Sequence, residues 1–111
     1  MKYSVIPIAK FIREAKRLIK KYPSLKTELI NLNDELSANP HAGISLGNDT
    51  YKIRLAIRSK GKGKSGGARV ITYVVTENKE VYLLAIYDKA EIDNVDNNTL
   101  KKIIIDLKSG K

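Results

Sequence analysis

The chain contains no cysteine and only one histidine among its 111 residues. The absence of cysteine excludes disulfide frameworks, zinc sites built from thiolates and cysteine nucleophiles. A single histidine excludes a metal site made of several imidazoles and an acid–base pair of two histidines. The longest uninterrupted apolar run, residues 81–87, is far shorter than the ~20 residues that a membrane-spanning helix requires. We therefore expect no membrane partner.

Lys10 interrupts the apolar residues near the N-terminus before a secretory h-region of ~7–15 residues can form. The sequence therefore predicts a cytoplasmic protein. Apolar residues make up 42% of the chain and charged residues 30%, which is typical of a globular protein rather than a disordered one. The length fits one domain, and we expect that domain to span residues 1–111.

Positive charge is concentrated in one part of the chain, whose formal net charge is +9. Residues 51–76 contain seven Lys and Arg and no Asp or Glu, a local charge of +7, whereas residues 1–50 carry +3 and residues 77–111 carry −1. A charge that served solubility alone would be spread evenly. The concentration indicates a surface that binds a polyanion such as a phosphate backbone.

The order of the hydrophobic patterns predicts an α+β fold with the elements β-α-α-β-β-β-α. From Ile8 onward, apolar residues recur at spacings of three and four, which is typical of an amphipathic helix, and we expect it to begin at Pro7. A second helix follows Pro23 and completes a helical hairpin, and residues 37–50 are rich in turn formers and predict a loop. The other predicted elements are strands at residues 2–6, 51–58, 68–76 and 81–87 and a helix at residues 97–108, which gives a mostly antiparallel sheet packed against the hairpin.

Residues 51–58 alternate between two faces, as a β-strand with one buried face does. The odd positions hold tyrosine, isoleucine and leucine and form the apolar face. Three of the four even positions hold cations, Lys52, Arg54 and Arg58. We therefore expect a cationic surface on the face of this strand that points away from its core.

A glycine-rich segment, residues 61–66, matches the G-x-G-x-x-G string of dinucleotide-binding sites. Such a site requires a strand followed by a helix, but here a β-branched strand follows the glycines. The sequence of residues 63–65 is similar to the end of a P-loop, yet the position of that motif's first glycine is Arg58. We therefore expect no nucleotide cofactor.

Cations stand at alternating positions within this glycine-rich segment and just before it, at Arg58, Lys60, Lys62 and Lys64. One interpretation is a solvated turn whose lysines prevent the flanking strands from aggregating. The other is a phosphate-binding loop, in which the lysines approach an irregular RNA backbone and Arg69 adds a bidentate fork.

Two tyrosines lie close to these cations in the predicted sheet. Tyr73 is four residues after Arg69 and therefore on the same strand face, and Tyr87 ends the next strand beside Asp88 and Lys89. Either ring can stack on an unpaired RNA base, and core packing is at least an equal alternative for Tyr73. We assign no chemistry to the single histidine, which lies in the turn-rich loop.

The chain resembles the toxins of the RelE/ParE superfamily, and within it the HigB-like branch. The resemblance is carried by the cationic strand 51–55, the Lys-Gly loop 60–67, the strand 68–73 and the segment 83–91. It implies a small, curved, mostly antiparallel sheet packed by N-terminal helices, in a toxin of a type II toxin–antitoxin module. The implied partner is a cognate antitoxin, which for this branch is usually a helix-turn-helix protein of the HigA-like kind.

The RelE-like branch implies an endonuclease that enters the ribosome and cuts mRNA without a metal or another cofactor. The 2′-hydroxyl of the substrate attacks the adjacent phosphodiester, and fixed cations stabilise the phosphorane. The basic residues of such sites map onto Lys52, Arg54 and Arg69, and we expect Arg69 to be the main stabiliser. Lys89 is the candidate for moving a proton, Tyr87 is a candidate for base stacking or proton transfer, and the loop lysines are expected to bind the RNA backbone.

The sequence departs from RelE at two places that concern this site. Ala90 stands where RelE carries an arginine, and no tyrosine follows Tyr87. Two alternatives therefore stay open: an inhibitor of DNA gyrase, as in the ParE-like branch, and an RNA-binding module without catalysis.

Overall fold

The computed structural model describes residues 2–58, 67–91 and 95–109. Within these ranges the chain forms three helices and five strands, which confirms the predicted α+β class. None of the helices in these ranges is long and apolar enough to cross a membrane. In chain order the elements are β1 (Ser4–Pro7), α1 (Ala9–Lys21), α2 (Leu25–Ala38), β2 (Ile44–Gly47), β3 (Thr50–Leu55), β4 (Ala68–Val75), β5 (Glu80–Asp88) and α3 (Asn97–Lys108).

The strands form one sheet in the order β1-β5-β4-β3-β2. Strands β2 to β5 pair antiparallel with their neighbours, while β1 pairs parallel with β5. Pro7 is the last residue of β1, opposite Leu83, so the first helix begins at Ala9 and not at Pro7 as predicted. A proline fits this position because β1 is an edge strand and one side of its backbone has no strand partner.

The segment predicted as a loop, residues 37–50, contains the edge strand β2. Asn48 and Asp49 have positive φ angles of 52° and 62°, and the tight turn that they form pairs β2 with β3. Asparagine and aspartate tolerate this left-handed conformation, so the turn formers mark a short hairpin here. Strand β3 also ends earlier than predicted, at Leu55, because its partner β4 begins directly opposite, at Ala68.

The hairpin of α1 and α2 packs on one face of the sheet. Apolar side chains of both helices bury themselves against alternate residues of β3, β4 and β5. Each fully buried side chain of this size stabilises the fold by about 1.5–3 kcal/mol. The largest of them are Leu18, Leu25, Leu36, Ile57, Val70, Val81 and Ile86.

Helix α3 packs on the opposite face, where Leu100 is buried with Ile71 and Leu84. This face carries the remaining apolar residues of β4 and β5, so the two strands are buried on both sides.

A β-bulge interrupts the pairing of β4 with β5. Ile71 pairs with Ala85 but the next residue of β4 pairs with Leu83, which leaves Leu84 as an extra residue. Leu84 and Ala85 both lie in the α3 cluster, while Leu83 and Ile86 lie in the hairpin cluster. The bulge thus reverses the alternation of β5, and from Ala85 onward the odd-numbered residues face α3.

Candidate active site

Three polar side chains stand side by side across the central strands of the sheet. Arg54 of β3 pairs directly with Arg69 of β4, and Arg69 pairs with Tyr87 of β5. Directly paired residues of antiparallel strands point to the same face, with Cβ atoms about 4.5–5.5 Å apart. Tyr87 belongs to the α3 cluster, so all three lie on that face. We call Arg54, Arg69 and Tyr87 the Arg–Arg–Tyr row. Lys52 lies in the adjacent row, opposite Ile71.

Arg69 is the buried cation of the row, with 5% of its surface exposed. Its Nη1 donates a hydrogen bond to the carbonyl oxygen of Ala68 at 3.1 Å. Arg54 is exposed and Lys52 is half-buried. A guanidinium keeps its charge when buried, and its planar fork matches two oxygens of one phosphate. The sheet therefore holds one fixed cation beside two more accessible ones.

Tyr87 is buried next to Arg69, with 3% of its surface exposed. Its hydroxyl has no hydrogen-bond partner within the described residues. Burial raises the pKa of Tyr87, and the nearby charge of Arg69 opposes that rise. The phenol is therefore protonated at neutral pH, and its O–H is a buried donor that has no acceptor in the part of the chain that the structure describes.

Lys89 follows Tyr87 by two residues, in the turn formed by residues 88–91. Its backbone N–H donates to the carbonyl oxygen of Gly67 at 3.1 Å, which extends the β4–β5 ladder by one pair beyond Ala68. A side chain at Gly67 would collide with the carbonyl oxygen of Leu55 on β3. Glycine thus allows the ends of the three strands to approach closely, and the backbone of Lys89 lies opposite Gly67, two residues beyond Tyr87 of the row.

Within the residues that it describes, the structure places none of the four predicted RNA-binding cations in the Arg–Arg–Tyr row. Lys60, Lys62 and Lys64 lie outside the described residues. Arg58 lies beyond the end of β3, and its Nε is 3.3 Å from Oε1 of Glu28 on α2. Its guanidinium contacts the helical hairpin on the other side of the sheet, although 79% of the Arg58 side chain is exposed. A contact of Arg58 with RNA stays a prediction.

Tyr73 lies on the same face as Arg69, as its spacing predicts, but nearer the opposite end of the sheet. It packs in the apolar cluster under α3 and is 8% exposed. It also lines a groove of 460 Å³ whose wall includes Asp49, Glu77 and Glu80. These carboxylates repel a phosphate backbone, so the surroundings of Tyr73 favour core packing over base stacking.

Sequence reasoning missed two carboxylates of the turn, Asp88 and Glu91. Asp88 is 1% exposed, and it accepts a hydrogen bond from the hydroxyl of Tyr22, which is 66 residues away in the chain. The sequence does contain a signal for it, because a carboxylate that directly follows a buried strand needs a partner. Neither residue belongs to a metal site: in residues 2–58, 67–91 and 95–109, no three His, Cys, Asp or Glu side chains are grouped to hold a metal ion.

Comparison with known proteins agrees with this architecture. The family model described as the RelE toxin of the RelE/RelB toxin–antitoxin system matches residues 10–107. Among solved structures, the chain is similar to the toxin RelE of E. coli, determined in the free state as a variant with two arginines replaced by alanine. The two chains are 20% identical, with a TM-score of 0.61, and the match covers 84% of this chain and 90% of that one. At this identity the likeness establishes the fold alone. The family match extends over most of the sequence, and the chain belongs to the RelE family of toxins from toxin–antitoxin systems.

Proposed function

We propose that this toxin is a ribosome-dependent mRNA endonuclease that acts in the cytoplasm and needs no metal ion. The observation that carries the proposal is the Arg–Arg–Tyr row, in which a buried arginine lies between an exposed arginine and a neutral, buried phenol. Such a group can bind one phosphate and stabilise the charge that develops on it. The +7 charge of residues 51–76 supplies the field that attracts RNA.

In the proposed reaction, the 2′-hydroxyl oxygen attacks the phosphorus of the adjacent phosphodiester and loses its proton. The bond between phosphorus and the 5′-oxygen then breaks, and the 5′-oxygen takes up a proton. The products are a 2′,3′-cyclic phosphate and a 5′-hydroxyl. Negative charge grows on the non-bridging oxygens of the phosphorane, so fixed donors and cations at that place lower the barrier.

Each side chain of the site has one role in this scheme. Arg69 stabilises the phosphorane, because its fork reaches two oxygens and its burial strengthens the interaction. Arg54 and Lys52 position the phosphate. Tyr87 donates its proton to the leaving 5′-oxygen, and Lys89 is assigned the proton transfer at the 2′-hydroxyl.

The remaining cations bind substrate away from the reacting atoms. In the proposal Arg58, Lys60, Lys62 and Lys64 contact the RNA backbone, and binding through several cations weakens steeply as salt increases. Membership of the family implies an antitoxin partner. We assign that partner to the helix-turn-helix, HigA-like kind.

The test is a reconstituted translation reaction in which the cut ends of the mRNA are mapped. Wild-type protein is compared with Arg69→Ala, with Arg69→Lys and with Arg13→Ala. Arg13 is an exposed residue of α1 without an ion pair in the part of the chain that the structure describes, so it controls for the loss of one charge. Far-UV circular dichroism and urea melting show whether each variant is folded.

We expect wild-type protein and Arg13→Ala to cut ribosome-engaged transcripts at equal rates. Removing Arg69 should lower the rate by about 10²–10³-fold, the usual loss for one transition-state donor. Arg69→Lys should recover part of the rate, since lysine keeps the positive charge but lacks the planar guanidinium that binds two phosphate oxygens at once. Intact transcripts with wild-type protein contradict the proposal and direct attention to DNA gyrase, and equal cutting of naked RNA contradicts ribosome dependence.

A further inference from the structure

One face of α1 lies along the end of β5 and holds it through side-chain contacts. Glu14, Arg17 and Lys21 follow one another at spacings of three and four, so they share a face of the helix. Oε1 of Glu14 accepts the backbone N–H of Ile86 at 3.1 Å. Strand β1 pairs with β5 only as far as Leu83. The Glu14 carboxylate therefore accepts a backbone N–H of β5 that lies beyond the end of β1.

The next contacts on this face bind the far end of the turn. Nη2 of Arg17 donates to Oε1 of Glu91 at 2.9 Å and Nη1 lies 3.5 Å from Oε2, a forked pair. Nζ of Lys21 lies 3.6 Å from the same Oε2. The hydrogen bond from Arg17 lowers the pKa of Glu91 and raises that of Arg17, so the pair is fully charged at neutral pH.

The Asp88 carboxylate accepts hydrogen bonds from the α1 side of the turn and from the turn itself. Its Oδ2 accepts the hydroxyl hydrogen of Tyr22 at 3.0 Å, and its Oδ1 accepts the backbone N–H of Ala90 at 3.0 Å. The backbone N–H of Glu91 donates to the carbonyl oxygen of Asp88 at 2.9 Å. Helix α1 and the residue after it therefore bind both ends of a four-residue turn.

These contacts contribute little to the free energy of folding. The Arg17 and Glu91 side chains are 56% and 34% exposed, and ion pairs of this kind contribute little to folding. Asp88 is 1% exposed, and burying a carboxylate is unfavourable even when it is hydrogen-bonded. The contacts do fix the geometry of the turn: the residues between Asp88 and Glu91 are Lys89 and Ala90, and Lys89 follows Tyr87 of the Arg–Arg–Tyr row by two residues.

We propose that Arg17 and Tyr22 are positioning residues, which act through Glu91 and Asp88 to hold Lys89 at the site. The inference rests on the proposed function, because Lys89 is the group that moves a proton in that reaction. Arg17 itself does not touch the substrate. Loss of its contact should therefore slow the chemical step without weakening the binding of RNA.

The experiment compares Arg17→Ala with the control Arg13→Ala, which removes the same charge from the same helix, and with the exchanged pair Arg17→Glu/Glu91→Arg. Two quantities are measured: kcat and KM for cleavage of ribosome-bound mRNA, and hydrogen exchange at the amides of Lys89 and Ala90. These amides donate to Gly67 and to Asp88, so their exchange reports the turn without reference to activity.

We expect Arg17→Ala to lower kcat about tenfold, as a misplaced catalytic group does, with KM unchanged. The two amides should exchange roughly two- to fivefold faster, as the loss of one exposed ion pair predicts. The exchanged pair should restore part of both quantities, because it re-forms the ion pair in reverse but loses the attraction between position 91 and Lys21, and Arg13→Ala should change neither.

Three results overturn the inference: unchanged kcat and exchange in Arg17→Ala, an equal loss in Arg13→Ala, or a loss that the exchanged pair does not even partly restore while the amides exchange normally. The last result would make Arg17 an RNA contact. If the wild-type protein cuts no RNA, the proposed function fails, and the amide exchange alone decides whether α1 fixes the turn.

Discussion

Removing the hydroxyl of Tyr87 should separate the stability of this toxin from its activity. The hydroxyl is buried beside Arg69 and has no hydrogen-bond partner within the described residues. Tyr87→Phe keeps the ring, which fills the same place in the α3 cluster. The substitution therefore removes a polar group and little packing.

Tyr87→Phe should leave the free energy of unfolding unchanged or raise it, but it should lower the rate of cleavage. An unsatisfied buried hydroxyl destabilises a fold by about 1–3 kcal/mol, so Tyr87→Phe should be as stable as the wild type or more stable by about 1 kcal/mol. In a protein of this size, 1 kcal/mol shifts Tm by roughly 4–8 °C. Cleavage should fall by about 10²–10⁴-fold, the contribution of a positioned proton donor.

Tyr82→Phe is the matched control. Tyr82 lies on the same strand and packs against the same cluster, but its hydroxyl donates to Oε1 of Glu80 at 3.0 Å. That variant should lose about 0.5–1.5 kcal/mol of stability and keep its cleavage rate.

Urea unfolding and single-turnover cleavage measure both properties on the same samples. A clear loss of stability in Tyr87→Phe would contradict the prediction, because the hydroxyl would then have a partner. A wild-type cleavage rate in that variant would refute its role as a proton donor.

Two further predictions concern the site. Gly67→Ala should lower the free energy of unfolding by about 1–3 kcal/mol, because the added Cβ meets the carbonyl of Leu55 and pushes β3 from β4; an unchanged urea midpoint would contradict this close approach. Burial raises the pKa of Tyr87, so its ionisation does not affect stability below the unfolded pKa of about 10 and lowers stability progressively as pH rises from there through the folded pKa. Stability followed by circular dichroism should therefore fall less steeply above pH 10 in Tyr87→Phe, and parallel curves for the two proteins would be the contrary result.

The parts of the fold that local patterns determine were predictable from the sequence. The spacing of apolar residues placed α1 and α2, and strict alternation put Lys52 and Arg54 on one face of β3. The start of β4 at Ala68 was also predicted, but β3 was predicted to end three residues too late, so the pairing of Arg54 with Arg69 did not follow from the sequence pattern. The resemblance to the RelE/ParE superfamily was what grouped these arginines with Lys52.

The rest depends on contacts between distant residues, which no local pattern contains. Strict alternation from Leu83 would place Tyr87 on the hairpin face, and only the bulge at Leu84 turns it toward Arg69. The bulge arises from the pairing of two strands and has no glycine or proline to mark it. The bond from Tyr22 to Asp88 likewise joins elements at opposite ends of the chain.

In the proposed reaction the Arg–Arg–Tyr row promotes attack by the 2′-hydroxyl on mRNA within the ribosome. The most direct measurement identifies the chemical groups at the cut ends after purified toxin acts on ribosome-bound mRNA. We expect a 2′,3′-cyclic phosphate on the upstream fragment and a 5′-hydroxyl on the downstream one, both formed about 10²–10³-fold more slowly with Arg69→Ala. A 5′-phosphate on the downstream fragment, which attack by water produces, or an intact transcript would contradict the proposed reaction.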